Sequence, residues 1–530
     1  MKKRTLLILF LIGLLSVSGS AFLQTNPGYM DAFYYYSGGV NLAEGKGLVE
    51  NFLWNYLDDP AGLPHAAFSY WMPLTSFITA LGIRLFSGFL DTFRAAQLPF
   101  ILVGGLVPPL TAALAWELTK EKKYYWFSGL LAAFMGYYQP FIAAVDSFGV
   151  YMLLGGLFFL VFLKVQRGRY LLLGLLAGLM HLARADGLLW LGIAGLAALV
   201  DRLHEKPSRV VKALFSKPVI LNGLLALGGY LLVMTPWFVR TYMVFGTPLA
   251  PGGSRTIWML DYDELFSYPA GVLTFSRWWA AGLGELVRVR YEALTVNLQS
   301  SAASLGMLFP GALALFGFYR YRRHRMVHLG VLYWLVLIFM MSVVFPFAGT
   351  RGGFFHSGAA LMPLIFVMVP PGVEALTEWS VKIFKWQVRK IKPFYIGLLF
   401  VYVVVFSFAI TISNIIGTDA GRGMVWNETM TRYQAVEEYL EEISADPQAV
   451  IVCATPPAYT VINHRPAVAM PDGGLGPLMA VTERYQAVYV LVEEDHPDEI
   501  EELFIHPEDQ GGLKYLTTVE GTHVFIWEGE

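Results

Sequence analysis

Residues 71–86 read Trp-Met-Pro-Leu-Thr-Ser-Phe-Ile-Thr-Ala-Leu-Gly-Ile-Arg-Leu-Phe, and whether they cross a bilayer sets the orientation of everything that follows. Leu74, Phe77, Ile78, Leu81 and Leu85 fall on one helical stripe, while Thr75, Ser76, Thr79 and Arg84 avoid it. A helix of this kind can lie in the plane of a membrane interface rather than span it.

The composition implies that membrane. Of 530 residues, 56% are hydrophobic and only 15% charged, too few to cover a soluble protein of this length. A net charge of -2 excludes a nucleic-acid surface, which needs a basic excess. The single cysteine, Cys453, excludes an intramolecular disulfide framework and reads as a small buried hydrophobe.

Upstream of the deciding stretch, Met1-Lys2-Lys3-Arg4 precede an apolar run from Leu6 to Phe22, an uncleaved signal anchor on this reading. Downstream lie ten further apolar segments between Arg94 and Ile416. They include Tyr124 to Tyr138, Phe148 to Leu163 and Tyr170 to Leu182, which fall short of the roughly 20 residues of a perpendicular span. With residues 71–86 left in the interface, the total is eleven spans.

Charge tests that choice. Eleven spans gather 23 of the 38 Lys and Arg into short cytoplasmic segments, around Lys3, Lys122, Arg167, Arg209, Arg322 and Lys390. A twelfth span at Trp71 would put most of them outside, against the positive-inside rule. The expectation is a polytopic α-helical membrane protein of the cell membrane with a cytoplasmic N-terminus. Residues 1–416 form its membrane domain, with 23–93 as the first external loop. Residues 417–530 form a small soluble extracytoplasmic α/β domain. That domain's predicted helices cover Tyr433 to Ile443 and Leu475 to Tyr485. Its strands are placed at Ala449 to Ala454, Ala487 to Glu493, and as a pair within Tyr515 to Trp527.

The external side carries the residues suited to chemistry. The first loop opens Met30-Asp31-Ala32-Phe33-Tyr34-Tyr35-Tyr36. A carboxylate just beyond the membrane can take a proton from an acceptor hydroxyl, and Asp31 can equally cap a helix from Ala32 to Glu44. Asp58-Asp59-Pro60 offers oxygen ligands for a divalent cation such as Mg or Mn, or an ordinary turn. Asp146 enters an apolar segment from its outer end, where a charge needs a partner or a ligand. Arg184 and Asp186 are an intramembrane ion pair or a substrate contact; Tyr35 and His65 are further candidate substrate contacts. Arg240, Arg351 and His356 stand at outer span ends, where a guanidinium suits a membrane-anchored phosphodiester or simply snorkels.

Taken in order, these residues resemble the GT-C superfamily of polyprenyl-phosphate-dependent glycosyltransferases, above all the protein O-mannosyltransferase and lipid A aminoarabinose transferase group. Asp31, beyond the first span and before a Tyr-rich helix, sits where that family carries its catalytic acid. Pro64-His65 through Trp71-Met72-Pro73-Leu74 and Leu85-Phe86-Ser87-Gly88 look like its external juxtamembrane helix. Arg94 matches an Arg that opens the second span, Asp146 a second acidic residue, and Arg351 to Pro363 a late donor-phosphate segment. The basic residue that usually follows the Pro-Pro-Leu stretch is replaced by Thr75 and Ser76, which leaves Arg84, Arg240 or Arg351 for the phosphate.

The resemblance implies transfer of a sugar from a polyprenyl-phosphate donor to a hydroxyl acceptor on protein, lipid or glycan, with inversion at the anomeric carbon. The rival reading is a transporter or a lipid-linked sugar flippase. Such carriers place ionisable residues near the bilayer midplane, whereas here they cluster at span ends.

Overall fold

Without water to satisfy it, a backbone crosses a bilayer only when its hydrogen bonds are internal, so apolar runs of sufficient length become helices. The computed structural model describes residues 3–206, 209–418 and 423–529. Lys2 of the basic N-terminal tract and the first residues of the tail after Thr418 lie outside the described residues.

Among the described residues, seven helices are long and apolar enough to cross a membrane: Lys3–Leu23 (α1), Thr92–Thr119, Ala185–Glu205, Lys217–Phe245, Arg325–Val344, Pro346–Phe384 and Val388–Ile416. An eighth candidate is broken, Leu283–Leu305 and Phe309–Arg320 meeting at 93°. Phe148–Lys164 and Arg169–Ala183 are apolar but shorter. This is a multi-pass membrane protein. The expected span at Tyr124 to Tyr138 is a helix over Lys122–Leu131 and then a single turn, Gly136–Tyr138. Gly136 takes φ +58° there, and the Gln139 side chain accepts from the Met135 N–H, so the helix cannot continue.

The chain divides into two units. The membrane unit comprises α1, Gln97–Arg240 and Arg290–Thr418. Its helices approach through small residues: a Cβ on Gly317 would lie 2.0 Å from the Met368 carbonyl oxygen, and one on Gly372 1.9 Å from that of Leu313. At the basic ends of its helices Asp201 accepts from Arg325 (2.7 Å), Tyr170 (2.8 Å) and Arg169.

The second unit comprises Gln24–Ala96, Thr241–Val289 and the tail. Helices Met30–Ala43 (α2) and Leu74–Phe86 (α3) pack together in it. In α3 the polar face is the buried one. Thr75, Ser76 and Thr79 are fully buried, and Ser76 Oγ donates to the Tyr35 carbonyl at 2.8 Å. Phe77, Leu81 and Leu85 are 38%, 56% and 57% exposed. A helix that hides threonines and displays leucines belongs beside lipid, as expected from its stripe.

The strands are Val49–Glu50 (β1), Phe52–Leu53 (β2), His65–Ala66 (β3), Val450–Cys453 (β4), Ala467–Ala469 (β5), Ala487–Val492 (β6), Leu513–Val519 (β7) and Thr522–Trp527 (β8). β1 and β3 form an antiparallel ribbon, with Glu50 opposite His65. The other six make one sheet, ordered β2-β5-β4-β6-β8-β7. Its β2-β5-β4-β6 part is parallel, and the β7–β8 hairpin turns at Glu520-Gly521. One face packs on the helix Leu475–Tyr485, the other on Glu428–Glu442 and Pro456–Asn463. The tail sheet thus takes an edge strand from the first loop, fixed further by Tyr56 Oη donating to the Ala469 carbonyl.

Candidate functional site

Asp31 is the second residue of α2 and half-buried. The N-cap is Tyr29, in an extended conformation, so Asp31 stands inside the first turn, where the helix dipole favours a carboxylate. The chain enters that turn through Gly28, at φ +91°, with the Trp426 indole packed over it and donating to the Asn26 carbonyl at 2.8 Å. Beyond Asp31 the helix is anchored by aromatic rings. Tyr34 packs edge-on against Phe52, Phe68 and Trp71, and its hydroxyl accepts from the Phe68 N–H at 3.0 Å. Tyr35 is buried in the same cluster, 2% exposed, so its role is to hold α2. The α2 C-terminus is closed by Arg84, which donates to the carbonyls of Leu42 (3.0 Å) and Ala43 (3.3 Å).

Asp58 and Asp59 part company. Asp59 is exposed at φ +51°, in a turn. Asp58 turns inward and its Oδ2 lies 2.8 Å from His65 Nε2, while Glu50 Oε2 is 3.8 Å from His65 Nδ1. Burial works against a charged imidazole, but the two carboxylates outweigh it and hold His65 up at about 9. His65 is therefore an imidazolium bridging two acids. Glu50 also accepts from the Phe68 N–H at 3.1 Å, which ties this bridge to the backbone that Tyr34 holds. Glu50 carries no sequence signal; only the β1–β3 register, which opposes it to His65, brings it in.

In the membrane unit, Asp146 is 1% exposed and its Oδ2 lies 3.1 Å from His356 Nε2. His356 Nδ1 lies 2.9 Å from the Gly352 carbonyl, which can only accept, so Nδ1 carries a hydrogen. The ring stacks on Phe148 at 3.8 Å and 17°. A local break makes this possible: Gly352 at φ +107° and Arg351 at ψ +33° interrupt the helix and aim the carbonyl at the imidazole. An imidazole nitrogen and a carboxylate oxygen held together from 210 residues apart are a donor pair suited to a divalent cation. Arg351 is exposed beside them in sequence. Arg184 donates to Asp186 (3.0 Å) and Ser357 (3.3 Å), a residue that the sequence did not single out. Arg240 lies over the Trp237 ring, 5.0 Å from its centroid.

No family model and no curated protein matches this sequence. Solved structures do match its fold. An archaeal oligosaccharyltransferase, AglB from Archaeoglobus fulgidus, in complex with an inhibitory peptide and a dolichol-phosphate, aligns at TM-score 0.58 and 12% identity, over 94% of this chain and 70% of that one. The Archaeoglobus fulgidus oligosaccharyltransferase with Zn and sulfate aligns at 0.57 and 14%, over 99% and 73%. ArnT from Cupriavidus metallidurans, bound to undecaprenyl phosphate, aligns at 0.55 and 13%, over 99% and 98%. The chain has the GT-C fold.

Proposed function

We propose that the protein transfers a sugar from a polyprenyl-phosphate donor to a hydroxyl acceptor on the extracytoplasmic face, with Asp31 as the general base. The observation that carries this reading is the place of Asp31: the first turn of a tyrosine-anchored helix, directly after a membrane helix, in a chain of GT-C fold. Structural neighbours solved with dolichol-phosphate and undecaprenyl phosphate support the donor class.

In the reaction the acceptor oxygen forms a bond to the anomeric carbon and its proton passes to the Asp31 carboxylate. The bond from that carbon to the phosphate oxygen breaks, and the electron pair leaves with the polyprenyl phosphate. Arg351 and Arg240 take the growing negative charge on the phosphate through charge-assisted hydrogen bonds. Asp146 and His356 would hold a divalent cation, which when bound supplies further neutralisation of a phosphate. Arg184 keeps the Ser357 turn, next to His356, in place. Arg84 serves α2 through its carbonyl contacts and acts on donor phosphate only if released from them.

The test is incubation of purified protein with labelled polyprenyl-phosphate sugars and a hydroxyl acceptor, comparing wild type with Asp31→Asn. Covalent transfer in the wild type, lowered by roughly 10²- to 10⁴-fold in the variant, is expected. Equal rates remove Asp31 as base. Movement of label across the membrane without covalent transfer establishes the flippase instead.

A further inference from the structure

At the end of the membrane unit where the basic loops gather, a cavity of about 270 Å³ opens beside the helices Lys122–Leu131, Met362–Phe384 and Val388–Thr411. Trp126, Phe127, Leu130, Pro370, Val373 and Ile396 make its apolar wall. Its mouth is ionic. Lys123 Nζ and Lys392 Nζ each lie 2.6 Å from the same Glu374 oxygen, Oε1. Tyr124 Oη donates to the other oxygen, with Arg320 Nη1 3.9 Å from it.

One carboxylate cannot neutralise three cations. Glu121, 3.5 Å from Lys123, and Glu378, 3.4 Å from Arg320, are 51% and 71% exposed, so water and salt weaken both. Among the described residues Lys392 pairs with no carboxylate other than Glu374. Positive charge is therefore left over at the open end of a slot whose walls are hydrocarbon, and Lys122, Arg322, Arg323, Arg389 and Lys390 add to it from neighbouring sequence, whereas Lys120 is paired with Glu117.

We propose that this slot binds an anionic phospholipid of the adjacent leaflet, one acyl chain against Trp126 and Leu130 and the headgroup phosphate on Lys123 and Lys392. Basic pockets between membrane helices select such headgroups. A zwitterionic lipid brings the same phosphate, but its own ammonium meets the surplus cations. The inference does not rest on the transferase reading and stands or falls apart from it.

Trp126 makes the site observable. The full chain is reconstituted in phosphatidylcholine nanodiscs doped with bromine-labelled acyl chains on phosphatidylglycerol or on phosphatidylcholine. The Trp126 signal is the difference from a Trp126→Phe variant. Phosphatidylglycerol is expected to quench it at the lower mole fraction, and each of Lys123→Gln and Lys392→Gln to cut that preference about fivefold. Glu374→Gln removes the competing carboxylate and is expected to raise it. Equal quenching by the two lipids overturns the proposal, as does a preference that survives loss of both lysines. Should the double lysine variant fail to fold, Glu374→Gln decides alone: an unchanged or lowered preference overturns the proposal.

Discussion

His65, a candidate substrate contact in the sequence, takes its charge state from its neighbours. Its folded value of about 9 exceeds the ordinary 6.5, so folding takes up a proton. The stabilisation from that proton is complete below about pH 6.5 and lost as the pH rises through about 9. Its full size is on the order of 3 kcal/mol. The melting temperature of the wild type should fall between pH 6.5 and pH 9.5, while that of His65→Gln starts lower and stays flat over the same range. Parallel curves for the two proteins would exclude His65 as the titrating group. Asp31 calls for a different outcome: Asp31→Asn should cut transfer by roughly 10²- to 10⁴-fold while costing no more than about 1 kcal/mol of stability, because the aromatic rings that anchor α2 stay in place. Both residues were legible as candidates from their place in the first loop. Glu50 and Ser357 were not, because a contact made through strand register or a broken helix leaves no local spacing to read.

Among elements, α3 gives the clearest comparison of pattern with packing. The stripe of Leu74, Phe77, Ile78, Leu81 and Leu85 led to the expectation of an interface helix, and Phe77, Leu81 and Leu85 face outward from the protein. What the stripe could not say is that the opposite, polar face would be fully buried. That depends on α2 presenting Gly38 and Gly39, against which Ser76 and Thr79 close. A methyl group on Gly39 would lie 2.3 Å from Thr79 Cγ2 and 2.5 Å from its Cβ, and a β-branched side chain has little room to turn away. Gly39→Ala should therefore destabilise the second unit by about 1–3 kcal/mol, read as a lower melting temperature, with Gly476→Ala, in the helix Leu475–Tyr485 where nothing lies within 4 Å, as the comparison for replacing a helical glycine itself. Equal effects of the two would mean that α2 and α3 do not pack this closely. The helix at Lys122–Leu131 teaches the complementary lesson, since hydropathy runs on through Gly136 although the helix does not.

For the molecule as a whole, the sequence yielded a membrane protein with a small α/β tail, and the individual tail strands and helices fell close to where alternation and amphipathic spacing put them. The helix Leu475–Tyr485 matched at both ends. The edge strand β2 escaped notice because two residues are too few to show alternation, and its partner β5 lies in a distant stretch of sequence. This arrangement predicts that ending the chain at Ile416 does more than remove a tail. Phe52, Leu53 and Tyr56, each no more than 2% exposed, would lose the sheet that covers them. Limited proteolysis of such a truncation should cut between residues 52 and 57, which are buried in the full chain. Protection that persists would show that the first loop folds without the tail.

The pairing of Phe52 with Ala467 also sets a timetable for biosynthesis. A ribosome adding about 5–20 residues per second needs on the order of 20–80 s to travel from one to the other. For most of that interval the first loop, Asp31 with it, has been made yet lacks the neighbour that completes its sheet. Maturation of the first loop thus waits for the translation of β5, and a nascent chain stalled short of that strand carries an unfinished first loop.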